Sequence, residues 1–259
     1  NLGIGDQFGI GVSLEGNNLA VGANKDDGFF DDQTDSGAVY LFTFSDSLFS
    51  SPDLGAIVGY DYSAANTGLA NGVDLGINGF NIQSAFDVIG ETVSISGNNL
   101  AISAHGDDGA TNLLSEVGAV HLIVNGTGYV GSIGAGYTGP NSLDLTQLQT
   151  GDDFGDISIT DSQIAIGAFG DDGFDNLATE TGAVYLFTYT GGFTSIIHES
   201  TMGDGYTGPK DFNIALETGD IFSTTSLDGN RLIVGAPGDD GFGNIRTDAG
   251  AAYLFSFSD

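Results

Sequence analysis

The feature that most constrains this chain is an internal repeat kept in register. "GAVYLF" at Gly37 returns as "GAVHLI" at Gly118, "GAVYLF" at Gly182 and "GAAYLF" at Gly250. "LAVGA" at Leu19 returns as "LAISA" at Leu100, "IAIGA" at Ile164 and "LIVGA" at Leu232. In both series the start positions differ by 81, 64 and 68 residues, so the two motifs hold one offset in all four copies. Each copy is then one supersecondary module that buries its faces by stacking on its siblings.

A third element precedes these two. It reads "FGIGVSLEGNN" from Phe8, "IGETVSISGNN" from Ile89, "FGDISITDSQ" from Phe154 and "FSTTSLDGNR" from Phe222. Apolar and polar residues alternate, the period of a strand with one buried face. Gly-Asn, Asp-Ser or Asp-Gly then turns the chain into the "LAVGA" strand, which makes a tight hairpin. In "GAVYLFTF" Val39, Leu41 and Thr43 face one way and Tyr40, Phe42 and Phe44 the other. Variable tails follow, with "LGAIVGYDY" from Leu54, "YVGSIGAGYTGP" from Tyr129 and "SIIHESTMGDGYTGP" from Ser195. They predict an outer fourth strand, and a short "VDL", "LDL" or "FNI" leads on to the next copy.

Four strands per copy predict an all-β fold, a β-propeller of four-stranded antiparallel blades. One domain spans residues 1–259, with repeats at about 5–80, 81–150, 151–218 and 219–259. No long stretch carries helical periodicity. A solenoid coil is far shorter than these units, and tandem β-sandwiches are the alternative. The last copy stops at "GAAYLFSFSD", before a tail. Two readings stay open: the four blades belong to a larger ring or array, or a neighbouring molecule completes the edge by strand addition.

Charge sets the partners. There are 35 Asp plus Glu against 4 Lys plus Arg, a net charge of -31. Nucleic acid and anionic membranes are excluded as partners by that sign. Cations, cationic surfaces or a saline medium fit it. The acids are mostly Asp, the acid of turns and oxygen-ligand loops. With no cysteine, no disulfide or zinc–thiolate site is possible. No apolar run reaches membrane-spanning length and no signal-type segment opens the chain, so no membrane insertion is expected.

The series "FG", "VGA", "GAVYLF" resembles the FG-GAP repeat of integrin α-subunit propellers, in particular its bacterial surface-protein branch. The resemblance covers nearly the whole chain in four copies. Phe-Gly survives at Phe8-Gly9 and Phe154-Gly155, copy two has Ile89-Gly90, and Gly-Ala-Pro is complete at Gly235-Ala236-Pro237. The resemblance implies a β-propeller, an extracellular or cell-surface location, and adhesion or scaffolding. Integrin-type repeats carry an Asp-rich calcium loop between the first two strands. Here that connection is a tight turn, Glu15-Gly16-Asn17-Asn18, with no room for a cage, so the family's calcium site is not carried over to it.

The acids lie instead in the next loop, between "VGA" and "GAVYLF". Asp26-Asp27 align with Asp107-Asp108, Asp171-Asp172 and Asp239-Asp240. Further on, Asp31 aligns with Asn112, Asn176 and Asn244, Thr34 with Ser115, Thr179 and Thr247, and Asp35 with Glu116, Glu180 and Asp248. Calcium takes about six to eight oxygens on a flexible loop with a glycine at its bend, and a Gly follows each pair. Neighbouring carboxylates also repel, by about 4 kcal/mol at 4 Å and an effective dielectric near 20. A divalent ion would reverse that sign. The expected Ca2+ ligands are thus Asp27, Asp31 and Asp35; Asp108, Asn112 and Glu116; Asp172, Asn176 and Glu180; Asp240, Asn244 and Asp248. The first Asp of each pair is expected to be a turn or solvent residue. Turn chemistry is the competing account, because Asp-Gly is an ordinary turn and Asp caps loops by accepting N–H bonds.

Other chemistry is poorly represented. His105, His121 and His198 fall at non-equivalent places, which argues against a histidine metal site or triad. No G-x-S-x-G elbow or phosphate loop is present. The carboxylate pairs recur in every copy, whereas an active site normally occurs once. Asn125-Gly126-Thr127 matches a glycosylation sequon. The expectation is a non-enzymatic extracellular module for adhesion or scaffolding. Its partners would be an extracellular protein or glycan, or copies of itself in an array or filament. A lectin-like propeller is the second reading, a filament joined by strand addition the third, and a hydrolase with one specialised blade the weakest.

Overall fold

The computed structural model describes residues 2–69, 73–74, 87–125 and 127–258. The boundary expected between the first two repeats, and Gly126 of the sequon, lie outside the described residues. Each repeat forms its own sheet. The first contains β1 (Phe8–Glu15), β2 (Asn18–Ala23), β3 (Ala38–Thr43) and β4 (Asp53–Gly59), then a one-turn helix α1 (Ala64–Thr67) and β5 (Val73–Asp74). The second contains β6 (Ile89–Ser96), β7 (Asn99–Ala104), β8 (Ala119–Val124), β9 (Gly128–Gly134) and β10 (Leu143–Asp144). The third contains β11 (Phe154–Ile159), β12 (Gln163–Ala168), β13 (Ala183–Thr190), β14 (Thr194–Gly203) and β15 (Phe212–Asn213). The fourth contains β16 (Thr224–Asp228), β17 (Arg231–Ala236) and β18 (Ala251–Ser256).

Strand order follows the chain in every sheet, and the first four strands of a blade are antiparallel. The four sheets are arranged as the blades of a β-propeller. The expected hairpins form where the sequence turns: Glu15 pairs with Asn18 and Ser96 with Asn99, each closing on a glycine of positive φ. One element goes beyond the expectation. The short "VD", "LD" and "FN" segments pair in parallel with β4, β9 and β14, giving those blades a fifth, two-residue strand.

Blades stack face to face through apolar side chains. Ala20, Val39 and Val58 of the first blade pack on Ile89, Val93 and Ile102 of the second. Leu122 and Ile133 of the second meet Phe154 and Ile157 of the third. Val184 and Met202 of the third meet Phe222 and Val234 of the fourth. Burying a side chain such as Phe154 or Phe222, both inaccessible to solvent, stabilises by about 1.5–3 kcal/mol.

Two polar joints recur at each junction. The amide of Ile95 donates to Ser13 Oγ at 3.0 Å, that of Ile159 to Ser94 Oγ at 3.1 Å, and that of Leu227 to Ser158 Oγ at 2.9 Å. Backbone bonds form the second joint. Val88 and Ile89 donate to the carbonyls of Asp35 and Ser36, Asp153 and Phe154 to Glu116 and Val117, and Ile221 and Phe222 to Glu180 and Thr181. These joints require Gly37, Gly118 and Gly182. Each has a positive φ of 78–83°, and a Cβ there would overlap the backbone of Ile89, Phe154 or Phe222. The end of every internal acidic loop is therefore also the hinge plate for the following blade.

Candidate functional site: the acidic loops

The loops join the second and third strands of each blade, as expected. Their first Asp is the expected turn residue in all four loops, accepting the amide of the Gly two residues on, and in the first three it is a buried hydrogen-bond hub rather than a solvent residue. Asp26 Oδ1 accepts the Gly28 amide at 2.9 Å, the Asx-turn that Asp-Gly chemistry supplies. Its other bonds come from Tyr40 Oη at 2.8 Å, and from Tyr62 Oη at 2.9 Å to Oδ1 and 3.0 Å to Oδ2. Asp171 repeats this with Gly173, Tyr185 and Tyr206, each at 2.8 Å. Asp239 is held by Gly241 and Tyr253, both at 2.7 Å.

The second blade departs in a correlated way. Where the others have Phe and Tyr, it has Ile89 and His121. Phe8, Phe154 and Phe222 pack edge-on to Tyr40, Tyr185 and Tyr253, at 5.4, 5.5 and 5.2 Å between ring centroids. His121 instead bonds through Nδ1 to Ser132 Oγ at 2.7 Å. Burial pushes its imidazole down to about 4, so the ring is neutral. Asp107 keeps Tyr137 and Gly109, both at 2.7 Å. Burial raises its carboxyl to about 6, against the lowering effect of those two bonds. Asp26 and Asp171 are raised for the same first reason. Tyr40, Tyr137 and Tyr185 are raised too, by burial and by the neighbouring carboxylate, so they remain donors.

The second Asp clasps the loop across its width. Asp27 Oδ1 accepts the Asp35 amide at 2.8 Å, Asp108 that of Glu116 at 3.0 Å, Asp172 that of Glu180 at 2.8 Å, and Asp240 that of Asp248 at 2.9 Å. Asp31, Asn112, Asn176 and Asn244 all adopt left-handed backbone (φ 51–56°), as do Asp35, Glu116, Glu180 and Asp248 (φ 50–54°). Asn and Asp tolerate that region best, which accounts for the residue type at the first of these positions. Asn176 Nδ2 donates to Gln149 Oε1 at 2.6 Å, and Asn244 makes the equivalent bond to Glu217.

The expected ligand triplets are thus spread along the loop, joined through backbone amides. Among the described residues no group of three or more His, Asp or Glu side chains is placed to hold a metal ion. The calcium expectation rests on sequence alone. His198 lies on β14 beside Phe187 and Thr201, and His105 is buried beside Phe169.

Two sets of residues escaped the sequence reasoning. One is Asp6, Asp87, Asp152 and Asp220, each two residues ahead of the first strand's Phe or Ile. Their carbonyls accept the amides of Lys25, Gly106, Gly170 and Gly238, which ties each acidic loop to the start of its own blade. Burial lifts Asp152 and Asp153 to about 7 each, helped at Asp152 by the charges of Asp171 and Asp172 and at Asp153 by that of Glu116. A recurring Asp at that offset was the available signal. The other set is Leu113, Leu177 and Ile245, which follow the left-handed Asn in three copies and are 79–87 % exposed. Phe30, Phe174 and Phe242 are exposed on the same loops.

The Phe-Gly opening, the buried Asp and the "GAVYLF" strand are all present in the first blade, and residues 3–42 match the family described as the FG-GAP repeat. The three later blades repeat the hub of this first unit with the substitutions described above. No curated protein matches the chain. Among the described residues no helix is long and apolar enough to cross a membrane.

Proposed function

We propose that the chain is a non-enzymatic, extracellular module for cell-surface adhesion or scaffolding, and that its row of acidic loops docks another protein. One observation carries this reading: Leu113, Leu177 and Ile245 are exposed at the same loop position in successive blades, each on a loop with three or four Asp or Glu. Large apolar side chains repeated at an exposed place mark an interaction surface, and the acidic surround selects a partner with basic residues around an apolar patch. FG-GAP character in residues 3–42 supports placement at the cell surface. The non-enzymatic part is supported by repetition, since the loop carboxylates play one structural role in every blade.

Labelled chain applied to intact cells and to matrix-protein surfaces tests the reading. Binding should weaken as salt rises and be lost when Leu113, Leu177 and Ile245 are all changed to Ser, with the melting midpoint unchanged. Undiminished binding by that folded triple variant sinks it. The exposed Phe30, Phe174 and Phe242 favour a second reading, a lectin that stacks sugars on aromatic rings. Glycan-array binding lost on Phe→Ser exchange would select it.

A further inference from the structure

The acidic loops of neighbouring blades are tied to each other. The linker over residues 145–152, between the second and third blades, is anchored by Leu145 and Leu148, both buried. It turns on Asp152: the Gln149 amide donates to Asp152 Oδ2 at 2.8 Å, and the Asp152 amide to the Gln149 carbonyl at 3.2 Å. From that turn it reaches both loops. The Gly151 amide donates to the Ser115 carbonyl, on the loop of the second blade, at 2.9 Å. Gln149 Oε1 accepts Asn176 Nδ2, on the loop of the third, at 2.6 Å.

The next linker repeats the arrangement. Ile214 and Leu216 are buried, the Glu217 amide donates to Asp220 Oδ2 at 2.7 Å, the Gly219 amide to the Thr179 carbonyl at 3.0 Å, and Asn244 Nδ2 to Glu217 Oε1. Gln and Glu serve equally, because the bond needs only an acceptor. Apolar side chains stand beside these bonds. Leu177 follows Asn176, which has a left-handed φ of 51°, and Leu113 lies two residues ahead of Ser115. They are 87 % and 80 % exposed on blades that have a neighbour on either side. Neither loop carries a Lys or Arg against its three or four Asp and Glu, whereas the first and fourth loops carry Lys25 and Arg246.

We propose that the loops of the second and third blades form one docking element of fixed spacing, that a single protein partner, apolar with a basic rim, covers Leu113 and Leu177 together, and that Gln149 is the positioning residue that sets the spacing. The proposal rests on the docking reading above and adds to it the span of the partner and a residue that acts through the loop. An exposed side-chain hydrogen bond contributes little to the folded state, so the effect of Gln149 falls on the loop. A tip held in place before binding does not have to be ordered by the partner. Once one tip is seated, the second meets the partner at high effective concentration. Both effects depend on the tips keeping one separation, and the linker bonds run between the two loops that carry them. Charge complementarity selects a basic rim, since these two loops hold no cation of their own.

Labelled chain titrated onto intact cells and matrix-protein surfaces tests it. Leu113→Ser and Leu177→Ser should each weaken binding about tenfold at unchanged saturation, where independent tips would lose saturation and keep their affinity. Gln149→Leu should weaken binding about three- to tenfold with its melting midpoint unchanged. Gln149→Glu, which keeps the acceptor, should bind at least as well as wild type. In the free Gln149→Leu chain, hydrogen exchange should quicken at the Asn176 and Ala178 amides and stay the same at those of Asn244 and Arg246, which make the equivalent loop bonds one blade on. Should that variant melt lower than wild type, Gln149→Ala takes its place with the same expectations. Saturation that falls while affinity holds, undiminished binding by Gln149→Leu, an equal loss in Gln149→Glu, or unquickened exchange would each overturn the proposal and leave the docking reading standing. A wild-type chain that binds no surface would end both.

Discussion

Tyr206 donates its hydroxyl to Asp171 Oδ2 at 2.8 Å across 35 residues of chain. The bond ties the tail of the third blade to the buried carboxylate of its acidic loop. Tyr185, from the strand between them, donates to the same oxygen at 2.8 Å. One carboxylate thus closes loop, strand and tail on each other, and Tyr62 with Asp26 does the same in the first blade.

The second blade has lost one of the two tyrosines, so its remaining one matters more. Tyr137→Phe leaves the buried Asp107 with the Gly109 amide and should cost about 3 kcal/mol, whereas Tyr206→Phe, with Tyr185 still in place, should cost about 1–2 kcal/mol. Denaturant midpoints of the two variants check the order. An equal loss would mean that the carboxylates do not depend on the count of hydroxyl donors.

Stability should fall as pH rises from about 5 to about 8. Asp107, Asp152 and Asp153 are raised in the folded chain to about 6, 7 and 7. Groups raised by folding contribute stability that is present below the unfolded value near 4 and is lost as pH climbs through the folded value. His121 works in the opposite sense, because its lowered value removes stability as pH drops from about 6.5 toward 4. Three acids outweigh one histidine, and the net charge of -31 adds self-repulsion at high pH. A melting midpoint that is higher at pH 8 than at pH 5 would contradict this.

Asp153→Asn isolates one of these groups. Its left-handed backbone (φ 51°) accepts Asn, and the exchange removes a charge that faces Glu116, Glu91 and Glu180. The variant should melt higher than wild type at pH 8 and within error of it at pH 5.

Chelator and added calcium should leave the melting midpoint unchanged at constant ionic strength. Both Asp of each pair already accept a backbone amide, and the first of each pair a tyrosine hydroxyl as well. Calorimetric scans with and without calcium measure it, and a rise with calcium would favour the ligand reading of Asp27, Asp108, Asp172 and Asp240.

Val88 and Ile221 hold φ of 58° and 57°, where a β-branched side chain is strained by about 1–3 kcal/mol. Val88→Asn should therefore stabilise the chain by about 1 kcal/mol, as read from its denaturant midpoint.

Blade number, the three core strands and the hairpin turns were legible because they depend on neighbours within one copy. Alternation along "FGIGVSLE" shows a half-buried strand, and Gly-Asn shows where it turns. The outer strands were legible in "LGAIVG" and its counterparts for the same reason. The tyrosine–aspartate hub was not, because one partner tyrosine lies in the variable tail, the strand tyrosine reads as core packing, and the Asp-Gly pair reads as an exposed turn. The Asp two residues ahead of each blade was missed because its partner amide lies about one strand pair away.

Taken by itself, the sequence determined that four similar hairpin-based units must stack, since hydrophobic period and turn residues act over a few neighbours. Tertiary structure alone decided that the first acid of the first three loops is buried and the apolar tips are bare. A carboxylate's solvation depends on which distant hydroxyls close over it, and a side chain's exposure on which faces meet.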